Sequence, residues 1–268
     1  MKEKVVIITG GTSGIGRALA EEFGRHGSSV VITGRSDEAV MACAEALKQK
    51  GIRVLGVRAD VTQVQDNMRM VEETLNAFGR IDILINNAGI SMRALFRDVD
   101  TEVIRKVMEI NFFGAVYATK VCLPQIIRNK GSIVGISSIA GFRGLPARTG
   151  YSASKFALNG FLEVLRTEVL HTGVHVLTAC PGFTASNIRN RALVEDGSIQ
   201  GESPRQEEQM MSAEECAAHI YRATVRRKRT VILTLQGKLA VWINKWWPSL
   251  ADTLVYNAMK KEAGSPLR

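Results

Sequence analysis

Apolar residues along this chain fall into two alternating patterns. Short runs rich in Val and Ile recur between longer stretches of helical spacing: "VVIIT" at 5–9, "SVVIT" at 29–33, "VLGVRAD" at 54–60, "ILIN" at 83–86, "SIVGIS" at 132–137, "HVLTA" at 175–179 and "TVILTL" at 230–235. Runs that are apolar at nearly every position, with helices between them, predict parallel strands buried on both faces. The predicted fold class is therefore α/β, a doubly wound Rossmann-type parallel sheet with helices on both faces. Right-handed crossovers bring the loops that follow the strands to one edge, which is where ligands bind in such sheets.

The alternation breaks twice. Residues 190–211 form a polar segment with Gly and Ser and no clear period, read either as a lid over a substrate or as an inert surface loop. It ends at Ser212, which with Glu215 has the spacing of a capping box and predicts the next helix start. After the last strand, Leu239, Ile243, Trp246, Leu250 and Leu254 recur at helical spacing, interrupted by Lys238, Lys245, Asp252 and Lys260, with Pro248 bending or restarting the helix. All three tryptophans of the chain lie here, at 242, 246 and 247. The expected division is a catalytic domain over 1–236 and an amphipathic extension over 237–268, packed on the domain, on a sister subunit or on a membrane surface. In the membrane reading the upstream "RRKR" at 226–229 meets anionic lipid.

Composition narrows the class. Hydrophobic residues make up 46% and charged residues 23%, ordinary values for a globular domain with a sizeable core. No uninterrupted apolar run reaches about 20 residues, so no spanning helix is expected. The start "MKEKVVIITG" passes from charge straight into a strand, which predicts a cytoplasmic protein without a signal peptide. Cys43, Cys122, Cys180 and Cys216 lack paired metal spacing and read as buried free thiols, and the four histidines form no metal motif. The net charge of +9 is compatible with nucleic acid, an anionic dinucleotide or a membrane, but no nucleic-acid-binding motif accompanies it.

The stretch "TGGTSGIGRA" at 9–18 follows the first strand and opens the first helix. Glycines clustered there imply that something approaches the backbone, and free N–H groups at a helix N-terminus suit a phosphate. A nucleoside-triphosphate loop would need Lys and then Ser or Thr after its last glycine, where this chain has Arg17 and Ala18. "YSASK" places Tyr151 and Lys155 four apart, on one helical face, and Ser138 stands at the end of the preceding buried run. A fixed positive charge beside a phenol, whose ordinary pKa is about 10, favours the phenolate.

Together T-G-x-x-x-G-I-G, "NNAG" at 86–89, "INFFGAV" around Asn111, Ser138, "YSASK" and "PG" at 181–182 resemble the short-chain dehydrogenase/reductase (SDR) family over about residues 4–235. The resemblance implies Tyr151 as general acid/base, Ser138 orienting the substrate oxygen, Lys155 on the nicotinamide ribose and Asn111 holding a relay water. A helix-kinking core amide is the other reading of Asn111. For the cofactor it implies the turn Gly10, Thr12, Ser13, Gly14, Ile15 and Gly16, with Arg35, Asp60, Val61, Asn87, Ala88 and Gly89. Tyr151, Lys155, Pro181, Gly182, Phe183 and Thr184 complete that set, and no metal is implied. The hydroxyl usual in the family five residues after Pro181 is Ser186, leaving open which hydroxyl holds the carboxamide.

Gly34 stands at the family's acidic position and Arg35 follows it, so the expected cofactor is NADP(H): a guanidinium suits a 2′-phosphate, which a carboxylate would repel. The expected function is hydride transfer between nicotinamide and a carbonyl or secondary alcohol, most readily reduction of an apolar lipid- or steroid-like ketone, 3-ketosphinganine-like lipids included. The alternative is a catalytically idle dinucleotide-binding sensor or scaffold. A small-molecule substrate, a homodimer or homotetramer, and peripheral membrane contact through the tail complete the expectations.

Overall fold

The computed structural model describes residues 1–206 and 210–267. The polar segment expected over 190–211 is thus described except for 207–209, and the last residue of the tail also lies outside the described residues. Seven parallel strands form one sheet: β1 (Val5–Ile8), β2 (Ser29–Gly34), β3 (Val54–Arg58), β4 (Ile83–Asn86), β5 (Ser132–Ile136), β6 (His175–Cys180) and β7 (Thr230–Ile232). Their spatial order is β3-β2-β1-β4-β5-β6-β7, with Val6 opposite both Val30 and Ile83. Strand order reverses between β1 and β4, so a crevice opens there at the carboxyl ends.

Alternation along each strand assigns the helices to faces. Val6 and Ile8 pack with Leu19 and Phe23 of α1 (Gly14–Arg25), Leu47 of α2 (Asp37–Gln49) and Cys216 and Ile220 of α7 (Ala213–Val225). Val5 and Ile7 face the other layer, with Met70 of α3 (Val64–Phe78), Cys122 and Ile126 of α5 (Gly114–Arg128) and Leu158 and Leu162 of α6 (Thr149–Glu168). All four cysteines are free and buried, as their apolar contexts suggest.

Helix α4 (Thr101–Met108) runs through a π-helical turn at Glu109–Phe113 into α5. The run Thr101–Arg128 is long and apolar enough to cross a membrane by length and composition. Here its inward residues Ala118, Cys122 and Ile126 are core residues on the sheet.

Two predicted strands stop two or more residues short of the end of their apolar runs. β7 ends at Ile232 because Thr234 turns the chain, accepting from Gly237 N at 3.0 Å and capping α8 (Leu235–Trp246). β3 ends at Arg58 because Asp60 enters a turn, its N–H bonded to Asp66 Oδ2 at 2.8 Å and its carboxylate to Thr62. The capping box forms as read: Ser212 Oγ accepts from Glu215 N at 3.0 Å, and Glu215 Oε2 accepts from Ser212 N at 3.3 Å. Pro248 restarts the helix as the first residue of α9 (Pro248–Lys260).

Candidate active site

The crevice at the β1/β4 reversal is a cleft of about 690 Å³. The glycine-rich turn after β1 forms its floor, through Gly10, Thr12, Ser13, Gly14, Ile15 and Gly16. Gly10 and Gly14 have φ of +64° and +50°, a region costly for side-chain-bearing residues. At Gly16 space decides: a Cβ there would lie 2.2 Å from Gly10 O and 2.5 Å from Asn87 Nδ2. That amide holds the turn, donating to Thr9 O at 2.9 Å and Gly10 O at 3.0 Å, while Thr9 Oγ1 accepts from Asn87 N and Ala88 N.

Around this floor stand Arg35, Asp60, Val61, Asn87, Ala88 and Gly89, all on the cleft. Arg35 is exposed at its rim, beside Ser36, whose Oγ caps α2 by accepting from Ala39 N at 3.2 Å. The loop after β6 closes the other side with Ser186, Asn187, Ile188 and Arg191. Of these only Ser186 is singled out by the sequence. A basic "NIRNR" after a strand at the ligand edge is the signal that could have found Arg191, and Lys106 of α4 lines the cleft as well.

The residues past β6 divide. Pro181 O accepts from Ile139 N at 3.3 Å, and Gly182 packs so tightly on Thr234 that a Cβ would come within 2.5 Å of its hydroxyl. Phe183 lies in a separate cavity of about 480 Å³, its ring 3.7 Å from the Arg205 guanidinium carbon. Thr184 is buried, its hydroxyl on Gly182 O at 3.4 Å. Ser186, at the cleft, is therefore the better-placed hydroxyl for a ligand there.

Next to Gly89 the chemistry-bearing side chains converge. A Cβ on Gly89 would lie 3.1 Å from Asn111 Oδ1 and 3.7 Å from Lys155 Nζ. Asn111, in the π-turn, accepts from Ile90 N at 2.8 Å and donates to Ile90 O and Ser154 Oγ, both at 2.9 Å. It thereby ties the loop after β4 to α6, so the core-amide reading is present in the geometry whatever else the residue does.

Lys155 is buried and donates to Ile136 O at 2.9 Å, with Nζ 5.7 Å from the Tyr151 ring centre. Burial pushes its ammonium down to about 8. Tyr151 hydrogen-bonds Ser138 and packs on the cluster of Met92, Val107 and Leu193. Burial holds the phenol above its ordinary value, while the Ser138 bond and the charges of Arg148 and Arg189 act to lower it. Two of the cations beside the phenol, Arg148 and Arg189, are thus arginines that the sequence does not single out, while Lys155 donates to a backbone carbonyl. Ser138 Oγ also accepts from Ala140 N at 3.1 Å, whereas the neighbouring Ser137 turns away to Lys155 O at 3.5 Å.

The segment after β6 lies over this site. Leu193 pairs with Met92 and Ile199, Leu193 O accepts from Arg93 N at 2.7 Å, and Arg189 Nη2 donates to Thr184 O at 2.7 Å. From the C-terminal side, Glu262 takes Arg148 Nη2 at 3.1 Å and Arg205 Nε at 2.7 Å, with Arg93 Nη2 at 3.8 Å. Among the described residues no cluster of His, Cys, Asp or Glu could hold a metal.

A doubly wound parallel sheet with a glycine-floored crevice at its strand reversal defines a Rossmann-type protein. The family model described as short chain dehydrogenase matches residues 4–196, and the chain belongs to that family, a family of oxidoreductases. It is 36% identical over 271 residues to "Dehydrogenase/reductase SDR family member 7B" of Mus musculus, covering 99% of this chain and 84% of that protein. It is 35% identical to "11-beta-hydroxysteroid dehydrogenase-like 4A" of Arabidopsis thaliana, covering 92% of this chain and 82% of that one. Among solved structures, a short chain dehydrogenase/reductase from Burkholderia phymatum in complex with NAD has the same fold. Its TM-score is 0.84 at 23% identity, over 93% of this chain and 95% of that one.

Proposed function

We propose that the protein is an NADP(H)-dependent carbonyl reductase acting on an apolar ketone of lipid or steroid type. The observation that carries the catalytic part is the half-buried Tyr151, its hydroxyl bonded to Ser138, beside Lys155 and next to the wall of a glycine-floored cleft. A dinucleotide fits that cleft because a Cβ at Gly16 would collide with the turn and the turn's N–H groups open a helix. For the 2′-phosphate form, support comes from Arg35 at the rim and the absence of a carboxylate at Gly34.

When bound, the nicotinamide supplies or accepts the hydride. The Tyr151 hydroxyl gives a proton to the substrate oxygen in reduction, and Ser138 orients that oxygen by hydrogen bonding. Lys155 and Asn111, which both stand beside Gly89, extend the proton path beyond the tyrosine. Arg148 and Arg189 favour the phenolate left after transfer. An apolar substrate is supported by the Tyr151 surroundings, where Met92, Val107 and Leu193 are buried, and agrees with the steroid named in the plant relative.

A homodimer or homotetramer is proposed through α6, where Phe156, Gly160 and Val164 form an exposed stripe at helical spacing; light scattering reads it. The four free thiols suit the reducing cytoplasm proposed as its location. The test of function is NADPH consumption over a panel of steroids, 3-oxoacyl thioesters, 3-ketosphinganine-like lipids, sugars and quinones. Turnover of an apolar ketone with NADPH in preference to NADH is expected. Tight NADPH binding without turnover of any class would instead support a dinucleotide sensor.

A further inference from the structure

Helices α8 and α9 leave most of their large apolar side chains in solvent. On α8, Leu235, Leu239, Trp242 and Trp246 recur at i, i+4, i+7 and i+11, one continuous stripe; Trp247, just before α9, and Leu250 and Leu254 on α9 form a second. Their exposures run from 47% at Leu254 to 82% at Leu235. The stripes join, because the rings of Trp242 and Trp247 meet edge to face at 5.1 Å between centres. An apolar surface of this kind is not left uncovered without a function.

The opposite faces of the same helices fasten them to the domain. Gly237 packs on Ile139, Asn244 Nδ2 donates to Phe142 O at 3.0 Å, and Ala251 and Met259 are buried. Arg143 pairs with Asp252 and donates to Asn244 Oδ1 at 3.0 Å, and Glu262 is held by Arg148 and Arg205. The tail is therefore a docked element that presents its apolar side outward.

Charge selects the occupant. Asp252 and Glu262 are the acids of this segment, and both are neutralised by arginines of the domain, Asp252 by Arg143 and Glu262 by Arg148 and Arg205. Lys238, Lys245, Lys260 and Lys261 are exposed and, among the described residues, have no acidic partner. A second copy docked by two-fold symmetry would bring this patch onto itself and so set the lysines against a surface whose two acids are already paired. An anionic lipid surface instead takes the tryptophans at headgroup level, the leucines below them and the lysines on phosphates or carboxylates. We propose that α8 and α9 are a peripheral docking surface for anionic membranes. This deepens the reductase reading only in how substrate arrives: Thr234, Gln236, Ala258 and Lys261 of this segment wall the 480 Å³ cavity that also contains Phe183.

Flotation of the full chain with vesicles of phosphatidylcholine, with and without phosphatidylserine, tests the proposal and needs no turnover. Its failure is therefore distinct from failure of the enzymatic reading. Flotation with phosphatidylserine vesicles at low salt is expected, weakened at about 0.5 M salt and accompanied by a blue shift of tryptophan emission. The double variant Trp246→Glu, Leu250→Glu should bind at least roughly tenfold more weakly, with unchanged circular dichroism and NADPH affinity. Protein that stays in the soluble fraction on anionic vesicles at low salt overturns the proposal. So does vesicle binding that the double variant leaves unchanged, or a dimer seen by light scattering that this variant dissolves while the parent does not float.

Discussion

Glu262, near the end of the chain, accepts a hydrogen bond from Arg148 Nη2 at 3.1 Å, and Arg148 stands three residues before Tyr151 at the start of α6. One buried carboxylate thus joins the tail to the catalytic helix, and through Arg93 and Arg205 to the loops after β4 and β6. Removing it would leave three guanidinium groups in each other's field, two of them largely buried. Glu262→Ala is expected to lower stability by about 3–5 kcal/mol, read as the urea midpoint. Glu262→Gln, which keeps an acceptor, should lose less. Equal stability of Glu262→Ala and the parent would show that the tail is held by α8 and α9 alone.

Tyr151→Phe keeps the ring among Met92, Val107 and Leu193 and removes only the hydroxyl. Turnover should fall by about 10²–10⁴-fold or more, while NADPH affinity by fluorescence titration stays within a few-fold of the parent. Retained kcat would take the proton away from this residue.

The cofactor test belongs at Arg35. A side chain at Gly34 would bring its Cβ within 2.9 Å of Thr12 Cγ2 and 3.1 Å of Val40 Cγ2, so Gly34→Asp mixes selectivity with strain in the cleft floor. Arg35 is exposed and can be replaced cleanly. Arg35→Ser should raise KM for NADPH roughly tenfold and leave that for NADH nearly unchanged. An unchanged ratio of the two kcat/KM values means that the phosphate is held elsewhere.

Gly16→Ala separates packing from conformational freedom, since Gly16 lies in α1 and its added methyl would meet Gly10 O and Asn87 Nδ2. Overpacking of about 1–3 kcal/mol is expected, together with weakened dinucleotide binding, because the Asn87 bonds that hold the turn must shift. A variant with parent-like melting temperature and NADPH affinity would show that the turn can relax.

What could be read from the sequence is what local chemistry dictates. Strands buried on both faces write themselves as runs such as Val5–Ile8, and the glycines and Asn87 are fixed by contacts within a short turn and its neighbouring strand. The Glu262 clamp could not be read. Its partners lie 57 to 169 positions away, and an arginine before a helix looks like any solvated cation until the fold buries it. The orientation of Lys155 was hidden for a related reason: helical spacing places it beside Tyr151, but the carbonyl of Ile136 that accepts its hydrogen bond belongs to β5.

The burial of Lys155 also sets a pH dependence. Lys155 is held at about 8, so it is charged below that pH and neutral above it, whereas Tyr151, raised by desolvation, stays protonated to higher pH than an ordinary phenol. As pH rises, the lysine therefore loses its proton first. In the carbonyl-reducing direction, kcat/KM for NADPH should fall as pH passes about 8, since the free enzyme then lacks the cation beside the cofactor site. Lys155→Arg keeps a charge at all these values and should move that limb upward where it retains activity. The same depression has a consequence for stability with a definite sign. Between about 8 and the ordinary 10.5 only the unfolded chain holds this proton, so this residue makes stability rise with pH there. The buried thiol of Cys122, pushed up from 9.0 to about 12, works the other way from about 9 upward. The lysine contribution is therefore cleanest between about 8 and 9, as the difference in urea midpoint between the parent and Lys155→Met. A parent whose kcat/KM stays flat into the ordinary tyrosine range, about 10, and whose midpoint moves no differently from that of Lys155→Met, would show that Lys155 remains charged throughout.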